Sequence, residues 1–312
     1  MGNDSPSRVL VTGGAGFIGR RVVAALLAEG AEVTVADLKP FTGDPSVRVV
    51  TGDLVEPEIA GQAVAPGIDT IIHLAARTSV LESLQDPEAY YRNNVALTAG
   101  LLEQARQRGV STFLFASTNA VVGNVGQTLI TEQAPLRPLT PYGAGKAAAE
   151  MLINCYAAAY GVRGVALRFS NVYGPGMEHK DSFIPRLMKA ARDGTGVKVR
   201  GDGTMIRDVI QVDDVISGMF AAWRSDYSGP VILGSGQSVT VNDMVTTART
   251  VTGVDIPAEN VPIQQGEMPA VRLDISVARS LGYSPTYDLE KGMATVWPDF
   301  DPSRTRTTEG GR

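Results

Sequence analysis

Residues 8–19 read RVLVTGGAGFIG, and their reading decides the fold. The run 8–12 is short and rich in β-formers. Gly13, Gly16 and Gly19 follow at every third position, and from Phe17 the apolar residues take helical spacing as far as 29, where Gly30 suits a helix end. Strand, glycine turn and helix in that order make a diphosphate cradle, since glycine permits close approach and the helix N-terminus stabilises the charge. Glycine spacing alone is weak, because tight βα turns also use glycine for packing. Here a second strand, 32–37, ends in Asp37, near the expected distance. A carboxylate there accepts hydrogen bonds from a ribose diol and repels a 2′-phosphate, which favours NAD over NADP.

Further strands are predicted at 47–50, 70–75 and 112–116, with helical stretches around 87–108 and 142–160. Near-continuous apolar strands alternating with helices indicate an α/β fold, a Rossmann-type doubly wound parallel sheet covered on both faces. Beyond Asn171 glycine and proline become frequent and the segments shorten. The expected division is a dinucleotide-binding domain over 1–170 with returns near 206–235, a smaller irregular α/β substrate-binding lobe over 171–300, and a polar, disordered tail over 301–312.

The 312 residues carry a formal charge of −5, which gives no reason to expect nucleic acid or an anionic membrane as partner. No apolar run reaches the roughly 18 residues of a membrane span, and MGNDSPSR at the start has no apolar leader core. A single cysteine, Cys155, fits a reducing cytoplasm and is expected to be a small buried hydrophobe on its helix. With one Cys and two His no transition-metal constellation is visible. His73 is expected to pack at a strand end, and His179 lies in a loop and carries no reading.

TGGAGFIG (12–19), GDL (52–54), HLAA (73–76), NNV (93–95), PYGAGK (141–146), LRFSNVYGP (167–175), GDGTMIRDVIQVDD (201–214) and LGYSP (281–285) together resemble the extended short-chain dehydrogenase/reductase family, in its NAD-dependent sugar-nucleotide epimerase/dehydratase branch. The strongest chemical signal is Tyr142-x-x-x-Lys146, because positions four apart share a helix face. A free tyrosine titrates near pH ~10, and a nearby ammonium and a positive nicotinamide ring are expected to lower that value. The resemblance implies that Thr118 completes the proton-transfer group as the catalytic hydroxyl at the strand end, while Ser117 bonds backbone or cofactor. Two hydroxyls satisfying strand-end carbonyls is the structural alternative.

The same resemblance implies an NAD pocket of Gly13, Gly16, Phe17, Ile18, Gly19, Asp37, Leu38, Asp53, Leu54, Leu74, Ala75, Ala76, Asn94, Ser117, Tyr142, Lys146 and Phe169. Asp53 with Leu54 either meets the adenine or caps the next helix. Thr118, Asn171 and Arg207 are implied for the substrate, Arg207 through two phosphate oxygens, although a surface pairing with Asp202 or Asp208 is the alternative. Two departures stand out. The family's V-Y-G tyrosine is Val122, which is expected to alter the sugar-pocket wall, and a diphosphate-binding arginine has become Gln264, with Arg272 either its replacement or a surface residue.

The branch includes 4-epimerases, 4,6-dehydratases, decarboxylases and 4-keto reductases. Dehydratases resemble S-T-D-E-V-Y-G where this chain has STNAVVG, so Asn119 and Ala120 replace the acid and base of elimination. The resemblance therefore implies epimerisation at C4 of a nucleotide-diphosphate sugar, with a UDP-hexose as the best single substrate. The alternatives are a 4-ketosugar reductase and a non-catalytic NAD-binding regulator. A homodimer paired through helices 87–108 and 142–160 is also implied.

Overall fold

A computed structural model describes residues 6–263 and 268–303. Seven strands form the central sheet: β1 (Arg8–Thr12), β2 (Glu32–Asp37), β3 (Arg48–Thr51), β4 (Thr70–His73), β5 (Thr112–Thr118), β6 (Arg163–Phe169) and β7 (Gly229–Leu233). Every neighbouring pair is parallel, in the order β7-β6-β5-β4-β1-β2-β3. The order reverses between β1 and β4, the place where a doubly wound sheet opens a crevice at the carboxyl ends of its strands.

Strand alternation sorts the side chains onto two faces. Val9, Val11, Ile72, Leu114, Val165 and Leu167 enter one apolar cluster, with helices Phe17–Ala28 and Val212–Arg224. Leu10, Ile71, Phe113, Phe115 and Ala166 enter the other, with helices Leu97–Arg108 and Pro141–Tyr160. A third cluster, built on Tyr173, Leu187, Met188, Met244, Met293 and Phe300, holds helices Phe183–Asp193, Val241–Thr252 and Leu289–Val296 together. Short two-stranded ladders join Asn171–Tyr173 to Val209–Gln211 and Ile206–Arg207 to Val239–Thr240.

The helix predicted over 87–108 is three pieces: Pro87–Tyr91, a π-helical turn Arg92–Ala96, and Leu97–Arg108. Strand β5 runs two residues past its predicted end, so Ser117 and Thr118 lie within the sheet, in register with Arg168 and Phe169. Cys155, expected to be buried, is exposed on the outer face of the Pro141–Tyr160 helix. Ala149 and Ile153 of that helix fill the side facing the sheet. Val122, expected on the wall of a sugar pocket, is 1% exposed and belongs to the first core cluster, so it lines no accessible wall. The polar tail beyond 303, and Gln264 with it, lie outside the described residues. Among the described residues no helix is long and apolar enough to cross a membrane.

One buried ion pair crosses from helix to sheet. Arg168 of β6 grips Glu150 of the Pro141–Tyr160 helix at 2.7 Å and gives a further bond to the Glu132 carbonyl. Glu132 in turn accepts the Ile232 N–H of β7 at 3.0 Å. Removing one partner of a buried pair leaves the other charge uncompensated, at a cost of about 3–5 kcal/mol. Glu150→Gln is therefore expected to lower the unfolding free energy by about that amount in urea titration. The double change Glu150→Leu/Arg168→Met is expected to cost clearly less, because it strands no charge.

Candidate active site

The glycine turn is held from both sides. Gly13 has φ 70°, and a Cβ there would stand 2.7 Å from the Ala75 nitrogen, so the turn and the loop after β4 are in backbone contact. At Gly19 a Cβ would fall 2.1 Å from the Gly13 carbonyl oxygen, which makes glycine obligatory where the helix crosses the turn. Asp37 pins this arrangement, accepting the Ala15 N–H and the Lys39 N–H, each at 3.0 Å. No side chain caps the Phe17–Ala28 helix and no acid stands in its first turn. The N–H groups at Phe17 and Ile18 are thus placed to meet an anion, which fits a dinucleotide diphosphate.

The other expected cofactor residues are spread over the carboxyl ends of several strands and the loops after them. Leu74, Ala75 and Ala76 follow β4 and are partly buried, Phe169 is buried at the end of β6, and Leu38 is exposed beyond Asp37. Asn94 is buried, and its amide bonds both the N–H and the carbonyl of Arg77 at 2.9 Å. Asp53 accepts the Val55 N–H at 3.0 Å and pairs with Arg92 at 3.0 Å; the following helix begins at Pro57 with Glu56 at its cap, so Asp53 does not cap it. Leu54 is buried in the second core cluster.

Thr118 and Tyr142 are brought together by the start of the Pro141–Tyr160 helix. Thr140 caps this helix through the Gly143 N–H at 3.2 Å, and Pro141 occupies its first position. A Cβ at Gly143 would stand 2.8 Å from the Ala120 carbonyl oxygen, so only glycine allows the helix start to lie this close to the strand end. The Thr118 hydroxyl accepts the Ala120 N–H at 3.2 Å and faces the Asn119 side-chain oxygen at 3.4 Å. One turn along the helix, Lys146 is buried; its Nζ donates to the Ala116 carbonyl at 2.8 Å and sits 4.5 Å from the centre of the Phe115 ring.

Burial governs the electrostatics. It pushes the Tyr142 phenol up to about 12, against the pull of the Thr118 hydroxyl, and pushes the Lys146 ammonium down to about 7, against the attraction of Glu150. The expected lowering of the phenol by Lys146 is therefore not delivered by the protein alone, because the low-dielectric surroundings dominate. Ser117 also departs from expectation: its hydroxyl donates to the Glu150 carboxylate, on the opposite side of β5 from Thr118. Glu150, Arg168 and Gly143 were missed in the sequence. A glutamate four residues after Lys146 on an alanine-rich face, and an arginine inside RGVALRF, were the available signals.

Asn171 is exposed and pairs in register with Val209, two residues from Arg207. The Arg207 guanidinium donates to the Ile206 carbonyl at 2.7 Å and to the Met268 carbonyl at 3.0 Å. Asp208 turns away to accept the Ser235 and Gly236 N–H groups, and Asp202 accepts from Thr204. Arg272 is exposed on a two-residue strand paired with Leu129–Ile130.

A doubly wound sheet with an open glycine turn, an acid ending β2 and a Tyr-x-x-x-Lys helix against the end of β5 defines a dinucleotide-dependent enzyme class. The chain matches the profile of the NAD dependent epimerase/dehydratase family over residues 9–233 and belongs to that family, whose cofactor is NAD. It is similar to a UDP-glucose 4-epimerase of Lacticaseibacillus casei, with 34% identity over 316 residues, covering 93% of this chain and 95% of the relative. It is also similar to a dTDP-glucose 4,6-dehydratase of Streptomyces griseus, 33% identical over 307 residues and covering 93% of each. The solved UDP-glucose 4-epimerase of Thermotoga maritima with UDP-glucose superposes with a TM-score of 0.89 at 29% identity, covering 94% of this chain and 98% of that one.

Gly19→Ala is expected to weaken NAD binding by on the order of tenfold or more, about 1.4 kcal/mol, since the new methyl displaces the turn. Fluorescence titration with NAD checks this.

Proposed function

We propose that this chain is an NAD-dependent 4-epimerase of a nucleotide-diphosphate sugar, with a UDP-hexose as substrate. The reading is carried by the two residues immediately after Thr118. Asn119 is a buried amide and Ala120 a methyl, so neither side chain can exchange a proton. Elimination of water across C5 and C6 needs a proton donor and a proton acceptor at the sugar. Their absence from those two positions favours epimerisation over the dehydration performed by the Streptomyces relative. Asp37 at the end of β2 disfavours the 2′-phosphate of NADPH and so argues against a 4-ketosugar reductase. Retention of both Tyr142 and Lys146 argues against a non-catalytic regulator.

Gly13, Gly16, Gly19 and the N–H groups at Phe17 and Ile18 would hold the diphosphate of NAD, and Asp37 the adenosine ribose. When bound, NAD supplies the positive ring that lowers the Tyr142 phenol and that takes and returns hydride at sugar C4. Tyr142 removes the O4 proton, with the Thr118 hydroxyl bridging O4 and the phenol. Of the three Lys146 donors one is spent on the Ala116 carbonyl, leaving two for the phenolate and the nicotinamide ribose. Asn171 and Arg207 hold the sugar's diphosphate while the 4-keto sugar turns about it. Tyr142 then returns the proton to O4 on the product. Net redox is zero, so the cofactor need not leave.

Incubation with UDP-, GDP- and dTDP-sugars, no cofactor added, is expected to interconvert C4 epimers of a UDP-hexose. Turnover that requires added NADPH would instead make the chain a reductase. Tyr142→Phe is expected to reduce kcat by about 10²–10⁴ while NAD stays bound. We further propose a cytoplasmic homodimer. The paired helical stretches expose Tyr91, Met151 and Tyr160, and a shallow apolar depression lies between Pro87, Tyr91, Val95 and Ala96. Sedimentation is expected at twice the chain mass; a monomer would overturn the pairing.

A further inference from the structure

The buried ring of His73 lies outside the proposed proton-transfer group, yet it joins Thr12, before the glycine turn, to Thr98, one helical turn after Asn94. It is 1% exposed and packs between the rings of Phe113 and Phe115, with centroids at 5.8 and 5.6 Å. Its Nδ1 is 2.7 Å from the Thr12 hydroxyl, and its Nε2 is 3.1 Å from the Thr98 hydroxyl. The direction of these bonds is set by each hydroxyl's other partner. Thr98 has one proton and gives it to the Asn94 carbonyl at 2.7 Å. Toward His73 it can only accept, so Nε2 carries the ring proton. Nδ1 is then a bare acceptor and takes the Thr12 proton, while a Thr12 lone pair accepts the Ala75 N–H at 3.2 Å. The relay runs one way: Ala75 N–H to Thr12, Thr12 to His73, His73 to Thr98, Thr98 to the Asn94 carbonyl.

Each end of this relay touches the loop after β4. Ala75 is the residue against which Gly13 closes, and the Asn94 side chain holds both backbone groups of Arg77. Asn94 lies inside the π-helical turn Arg92–Ala96, an irregularity that commonly marks functional positions. We propose that His73, locked as the neutral Nε2–H tautomer, is a positioning residue that sets the loop 74–77 against the glycine turn and so fixes the mouth of the NAD pocket. Burial supports this state by pushing the imidazole down to about 3, and Lys146, the charged group facing it from the Pro141–Tyr160 helix, acts in the same direction. This role lies in cofactor binding and stands whichever sugar reaction the enzyme performs.

The chain has only two histidines, His73 and His179, so 15N-labelled imidazoles can be assigned with a single His179→Gln variant. The His73 ring is expected to show a protonated Nε2 and an unprotonated Nδ1, unchanged from about pH 5 to about pH 8, the range in which a free imidazole titrates. A proton on Nδ1, or titration within that range, would overturn the proposal. His73→Phe keeps the ring between its aromatic neighbours and removes both hydrogen bonds. It is expected to hold NAD at least about tenfold more weakly. Thr98→Val, which removes only the acceptor of the Nε2 proton, is expected to shift NAD affinity in the same direction and to change the Nε2 resonance. Folded variants that bind NAD as tightly as the parent would also overturn it.

Discussion

The proposed chemistry depends on how closely the Pro141–Tyr160 helix is held to the carboxyl end of β5. Three successive turns of that helix meet the strand. Tyr142 faces Thr118, Lys146 donates to the Ala116 carbonyl, and Glu150 takes the Ser117 hydroxyl proton. Because adjacent strand residues point to opposite faces, Ser117 and Thr118 serve different purposes although they are neighbours. One hydroxyl secures the helix from the core side, and the other is left facing the Tyr142 phenol.

The surroundings of Tyr142 and Lys146 disfavour the proton abstraction proposed for them until a cofactor binds. Burial works against both charged forms, the phenolate of Tyr142 and the ammonium of Lys146. In the proposed reaction, a group that stays protonated until a positive ring is nearby would react only in the loaded state. The same desolvation that makes the tyrosine a poor base alone makes it sensitive to a charge brought close, since little solvent is left to screen it.

The sheet was readable because its signals are local. Apolar strands such as 8–12 and 70–73 alternate with helices whose caps and glycines can be seen in short windows, and β1 and β2 fall where periodicity placed them, whereas β6 and β7 were not expected. Tyr142 and Lys146 were readable for the same reason, as spacing on one helix. What stayed hidden was pairing at a distance. Ser117 with Glu150, Glu150 with Arg168, and His73 with Thr12 and Thr98 are separated by 18 to 61 residues, and no window contains both partners. Burial on the outer layers was equally hidden: Cys155 and Val122 lie in stretches of similar hydrophobicity, yet one faces out and the other in. Which face a helix or turn presents is settled by its neighbours in space.

Gly143 widens what counts as part of the site. It offers no functional group and touches no reactant, but its missing side chain is what lets the helix start rest 2.8 Å, measured to an added Cβ, from the Ala120 carbonyl. Any larger residue there would push the tyrosine next to it away from the hydroxyl across from it. In a survey of tolerated replacements this position would behave like the residues proposed to react. Intolerance to change would report the width of a gap, with no chemistry at the position at all.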